Sequence, residues 1–142
     1  MIKKLLVIGI LILSVIVTSF LILKYTTYQK QKAENASTQL VLYSPKPNEI
    51  ITSPLTIKGK AVGTWYFEGD FPISILDSDN NIVFQTYVSA KGDWMVTDFV
   101  EFERTFEFTT PASDTGTLVL TKDNPSDMRE LDDEVRIPIR FR

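Results

Sequence analysis

The sequence predicts an all-β domain of two packed sheets, carried behind one N-terminal transmembrane helix. Three observations lead there. Residues 5–23 hold no charged side chain. From Leu40 onward, short runs alternate apolar and polar residues, the period-2 pattern of half-buried strands. Pro, Asn, Asp and Gly punctuate these runs, and about 100 residues are enough to enclose one core.

Leu5–Leu23 is L-L-V-I-G-I-L-I-L-S-V-I-V-T-S-F-L-I-L. At about 1.5 Å per residue this run just crosses a hydrocarbon core of about 30 Å, and a helix there satisfies its own backbone hydrogen bonds. The residues that follow, Lys24-Tyr25-Thr26-Thr27-Tyr28, offer no small-x-small cleavage site. An uncleaved signal anchor is expected at residues 5–23, with residues 1–4 as a cytoplasmic tail. Lysines flank both sides, so positive charge alone does not set the orientation. The expected topology puts the C-terminal part outside the cytoplasm. Residues 24–39 lack apolar periodicity and are expected to form a polar stalk, with no helix beyond the membrane span.

Strands are expected at Leu40–Tyr43, Leu55–Val62, Phe71–Leu76, Ile82–Ser89, Phe99–Thr109, Thr117–Thr121 and around Val135–Phe141. In the second, Leu55, Ile57, Gly59 and Ala61 share a face; the two small residues predict a large group packed over them. In the fifth, Val100, Phe102, Phe106 and Phe108 face inward while Glu101, Glu103, Thr105 and Glu107 face water. Pro138 cannot donate to a ladder, which makes the last strand an edge or puts its proline at a non-bonded position. Seven strands in about 100 residues predict an immunoglobulin-like two-sheet sandwich over residues 40–142.

The chain has no cysteine and no histidine. That excludes disulfides, thiolate metal sites, Ser-His-Asp triads and imidazole acid–base chemistry. The net charge of −3 hides a split. Lysines exceed acids before Leu40, and seventeen Asp and Glu stand against ten Lys and Arg after it. An acidic domain has no general attraction for phosphate backbones, so nucleic acid is not an expected partner.

Candidate sites are few. Asp77-Ser78-Asp79-Asn80-Asn81 imitates half a calcium loop, but Ile82 and Val88 stand where glycine and glutamate are needed, and a tight turn is the better reading. The acidic stretch from Asp123 to Glu134 reads as a solvated loop capping its own backbone. Trp65-Tyr66-Phe67-Glu68 and Trp94-Met95 are aromatic enough for a sugar or peptide cleft. Core is the favoured reading for Trp94, filling the space over Gly59 and Ala61. For Trp65, with Gly63 and Gly69 nearby, both readings stay open.

The order Ser53-Pro54, Gly59-x-Ala61, G-T-W-Y-F-E (Gly63–Glu68), Phe71-Pro72, G-D-W-M-x-x-D-F-V-x-F (Gly92–Phe102) and G-T-L-V-L-x-x-D-N-P-S (Gly116–Ser126) resembles a known module. It is the second Gmad type, the immunoglobulin-like domain of bacterial germination and sporulation proteins, often found beside a GerMN domain. The resemblance runs from Leu40 to about Phe141. It implies an extracytoplasmic, non-catalytic interaction module; no cofactor or metal is expected. Its family-matching polar and aromatic positions are Trp65, Glu68, Trp94, Asp98, Asn124 and Ser126; with Tyr66 they are the candidate ligand-contacting residues. The same positions serve equally as fold determinants, Asp98 and Asn124 fastening loops. Asp127 departs from the family, which commonly has glycine after N-P-S. No GerMN partner fits in these 142 residues, so a germination role is not carried over. The expected partner, besides the membrane, is a cell-wall polymer or another envelope protein. The competing readings are an envelope hydrolase using carboxylates, and a structural spacer.

Overall fold

The computed structural model describes residues 2–142, with the side chains of residues 9, 11–31 and 38–142. Met1, in the expected cytoplasmic tail, lies outside the described residues. The chain divides into two compact units, residues 1–35 and Ala36–Arg142.

Helix α1 spans Ile2–Gln39, so the helix continues through the expected polar stalk. The physical reason is visible in the sequence. Residues 24–39 contain neither Gly nor Pro and include the helix formers Gln29, Lys30, Gln31, Lys32, Ala33 and Glu34. Thr26 and Thr27 fold their hydroxyls back onto the Leu23 carbonyl at 2.9 and 3.0 Å, sparing them a competing turn. Among the described residues, Leu11–Gln31 is long and apolar enough to cross a membrane.

The second unit folds as seven strands: β1 (Leu40–Ser44), β2 (Leu55–Val62), β3 (Asp70–Leu76), β4 (Ile82–Ser89), β5 (Phe99–Phe106), β6 (Thr115–Thr121) and β7 (Glu134–Arg140). One sheet has the order β1-β2-β5, the other β4-β3-β6-β7, with antiparallel pairing throughout. After β1 the chain changes sheets, and Ile50 forms a parallel bridge to Arg140 of β7. This is an immunoglobulin-like sandwich.

The inner faces carry the core the alternation predicts. Ile57, Ala61, Phe71, Ile73, Ile75, Phe102, Leu118 and Leu120 are buried. Gly59 pairs with Phe102, and a Cβ on it would lie 2.6 Å from that ring. The large group over the small residues is therefore Phe102, not a tryptophan. Edge-on contacts join Trp65 to Phe71 and Phe71 to Phe102, with centroids 5.8 and 5.2 Å apart. Further along, Phe84 stacks on Phe106 at 4.8 Å, bridging the two sheets.

Every strand but β2 and β4 has an end that differs from the expected bounds, and β5 differs most. β5 stops at Phe106 because the Phe108 N–H donates to Ser53 Oγ at 3.0 Å, although Phe108 stays buried. Arg104, on the inward parity of this edge strand, is exposed. β7 is an edge, one of the two placements that Pro138 allows, and the Pro138 carbonyl accepts the Asn48 N–H at 2.7 Å.

Candidate functional site

Three connections meet at one end of the sandwich: residues 63–69, 90–98 and 122–133. Leu40 also lies there, paired with Ala61 at the end of β2. The remaining connections, 45–54, 77–81 and 107–114, lie at the opposite end.

The first connection opens with a 3-10 turn, Gly63–Trp65. Gly63 is required because the next connection crosses it. A Cβ there would sit 2.0 Å from the Val96 carbonyl oxygen and 2.3 Å from that of Trp94. The Gly63 N–H donates to the Asp98 carbonyl at 3.1 Å, locking the two segments together. The turn drives Trp65 into the core, where it is fully buried, and its indole N–H donates to Gln39 Oε1 at 3.2 Å. Tyr66 is buried beside it, its hydroxyl donating to the Val100 carbonyl at 2.8 Å. Burial pushes the Tyr66 phenol well above its ordinary range.

The chain then reverses over Phe67–Asp70, whose backbone groups exchange hydrogen bonds of 2.9 and 3.1 Å. Glu68 and Gly69 occupy the two central positions with φ of 53° and 90°, which a twisted two-residue hairpin demands. Glu68 is thus an exposed turn residue. The Trp94 ring packs against Gly69, about 3.5 Å from where a Cβ would stand, and is half-buried. Asp93 accepts the Met95 N–H at 3.0 Å and shapes the approach to Trp94.

In the third connection Asn124 is the fastener. Its amide donates to the Met128 carbonyl at 2.9 Å and to Asp132 at 2.8 Å, and its oxygen accepts from the Ser126 hydroxyl at 2.6 Å. The Asp123 N–H donates to the Trp65 carbonyl at 3.1 Å, tying this loop to the first. Desolvation, together with the nearby Asp70 and Glu68, pushes the Asp123 carboxyl above the usual range.

The structure brings the seven candidate residues to one end of the domain but gives them different surroundings. Trp65 and Tyr66 are core, and Asn124 and Ser126 spend their polar atoms on the loop itself. Asp98 fastens a loop through its backbone carbonyl, while its side chain is exposed. Trp94, favoured as core, is half-buried and packs against the edge of the core. Glu68, Asp98 and part of Trp94 remain open to solvent. The most exposed apolar side chain of the domain was not a candidate by itself: Met95 is 77% exposed, with Val96, Phe99 and Phe67 also open. Lys60 lies 4.7 Å from the Phe99 ring centroid. An Asx turn followed by Met-Val was the available signal, but exposure cannot be read from residue type. The half calcium loop is a turn: Asp77 Oδ1 accepts the N–H groups of Asp79 and Asn81 at 2.9 and 2.8 Å. Among the described residues, no group of three or more Asp or Glu is placed to hold a metal ion. A shallow depression of about 330 Å³, lined by residues such as Ser53, Val83 and Phe84, lies outside this cluster.

A family model described as the immunoglobulin-like domain of bacterial spore germination, Gmad2, matches residues 39–129. The chain belongs to this family. No curated protein and no solved structure matches it. As a Gmad2 protein with an N-terminal membrane-crossing helix, it is membrane-anchored, with its immunoglobulin-like domain outside the cytoplasm. The Gmad2 motifs are physically one assembly. G-T-W-Y-F-E and G-D-W-M interlock through Gly63 and Gly69, and D-N-P-S docks on Trp65. Asp127 has φ 57°, the left-handed region in which the glycine common in the family rests without strain. β7 lies beyond the matched stretch yet completes the Gmad2 sheet.

Proposed function

We propose that this protein is a non-catalytic interaction module of the bacterial envelope, and that the loop end docks an apolar surface of another envelope protein. The observation that carries this reading is the exposure of Met95 on a connection whose backbone is pinned on both sides, at Asp93 and at Gly63. A flexible thioether on a rigid support is suited to adaptable protein contacts. A sugar polymer fits less well, because stacking on sugars needs an open ring face. Trp65 and Tyr66 are enclosed, and the Trp94 ring is half-buried with Gly69 against its Cδ1–Nε1 edge.

The test is photo-crosslinking in intact cells from a photoreactive residue at position 96. The expected result is a protease-sensitive adduct that Met95→Asp abolishes and Asn80→Asp, at the opposite end, leaves intact. An adduct that wall-degrading enzymes release would replace the protein with a wall polymer. Loss of all adducts would make the domain a spacer.

A further inference from the structure

The sandwich has four edge strands, and three are guarded. β1 is five residues long and its register slips between Leu42 and Ser44. β5 is bridged by Ala90 at Phe102, and places Arg104 on its inward parity. β7 is covered near its end by residues 48–51, through Asn48 N–H to Pro138, Ile51 N–H to Arg140 and Arg140 N–H to Glu49. These are the ordinary devices that stop sheets from extending edge to edge.

β4 has such a guard only past its end, where Ala90 bridges Phe102 and the Lys91 N–H donates to Glu101 at 2.8 Å. Its eight residues, Ile82-Val83-Phe84-Gln85-Thr86-Tyr87-Val88-Ser89, carry no charge and no proline, and are dominated by β-branched and aromatic types. It pairs with β3 on one side. Among the described residues, no strand or isolated bridge pairs with its remaining edge over Ile82–Val88. Ile82 and Tyr87 are exposed.

We infer that β4 is a self-pairing edge, at which a second copy of this chain adds its own β4 antiparallel to form one continuous eight-stranded sheet. A row of unpaired backbone groups accepts only an extended strand, which defines the class of occupant. A copy of β4 meets it without like-charge contact, although the domain as a whole is acidic. Antiparallel symmetry requires opposed residues to share a face. The register that stays within Ile82–Val88, clear of the Ala90 bridge to β5, sets Gln85 opposite Gln85, Val83 opposite Tyr87 and Phe84 opposite Thr86. A single strand pair is a small interface, and membrane tethering supplies the effective concentration that it needs. This surface is separate from the loop end, so either can fail without the other.

The chain's lack of cysteine makes the test clean. Gln85→Cys in the full-length protein in native membranes, mildly oxidised, places paired Cβ atoms about 5 Å apart, within reach of a disulfide after slight adjustment. The expected result is a disulfide-linked homodimer, several-fold more abundant than from Tyr43→Cys on β1 or Arg136→Cys on β7. Adding Val83→Lys and Tyr87→Lys, which set lysines opposite each other across the seam, is expected to abolish it while circular dichroism and melting show a folded domain. Equal dimer from all three positions, or none from position 85, overturns the proposal. So does a mixed disulfide to a different protein without homodimer.

Discussion

The two ends of the sandwich are fastened by the same kinds of bond and differ in what they display. At the far end, Asp77 caps its own turn, Asn48 and Glu49 bond to β7, and Arg142 pairs with Asp114 at 2.5 Å. At the near end, Asn124 and Asp93 cap their loops in the same way. Each end has a backbone crossing so close that only glycine fits, Gly63 under Val96 and Gly116 under Leu76, but the near end holds Met95, Val96, Phe99 and Phe67 in the open where the far end exposes Ile50 and Ile82. Pinned loops therefore do not distinguish a site from a turn. What distinguishes the near end is the larger exposed apolar cluster, Met95, Val96, Phe99 and Phe67, on loops locked to one another at Gly63.

That contrast predicts a ladder of effects. The largest is at Trp65. Trp65→Ala is expected to cost about 4 kcal/mol, as for other buried aromatics, whereas Trp94→Ala costs roughly 1 kcal/mol. Urea unfolding of the 38–142 fragment measures both, and equal losses would mean that Trp94 is as much a core residue as Trp65. Acrylamide is expected to quench Trp94 and spare Trp65. Next is Gly63→Ala, which drives a methyl group into two carbonyl oxygens and is expected to cost about 3 kcal/mol. If hydrogen exchange at residues 94–98 stays unchanged in this variant, the interlock of the two motifs is not what holds the near end. Asn124→Ala, which leaves its loop partners unpaired at the surface, is expected to cost about 1 kcal/mol. The smallest effect has the opposite sign: Asp127→Gly relieves a left-handed backbone and is expected to add about 0.5 kcal/mol, partly offset by greater chain freedom when unfolded.

Acid titration separates the ends as well. Hydrogen bonds from the Asn81 side chain and backbone, and from the Asp79 N–H, hold the Asp77 carboxyl below its usual value. Its contribution is present above the unfolded value and lost as pH falls through the folded one. Asp123 runs the other way. Its folded value is raised, so its ionised form weakens the fold at neutral pH, and that penalty vanishes below the unfolded value. Asp77→Ala is thus expected to flatten the acid limb of stability. Asp123→Asn is expected to raise stability at neutral pH and leave it unchanged in acid. Midpoints measured across the carboxylate range check both signs.

The strand set was legible because burial on one face writes a period of two into the chain. β2 and β4 have the expected bounds, and β5 and β7 keep the inward residues that alternation marks. The anchor was legible from composition alone, since no other structure tolerates nineteen uncharged residues in lipid. The helical continuation to Gln39 lies in local propensity rather than in amphipathic pattern, which is why periodicity missed it. Tertiary structure alone decided the rest. Which of two tryptophans is enclosed depends on where a 3-10 turn points one and where Gly69 stops the other. Which ring fills the space over Gly59 depends on cross-strand register. Whether an edge is open depends on distant segments such as Asn48–Ile51 folding back upon it. Sequence determines the face a residue prefers; only the assembled chain determines what already occupies the space in front of it.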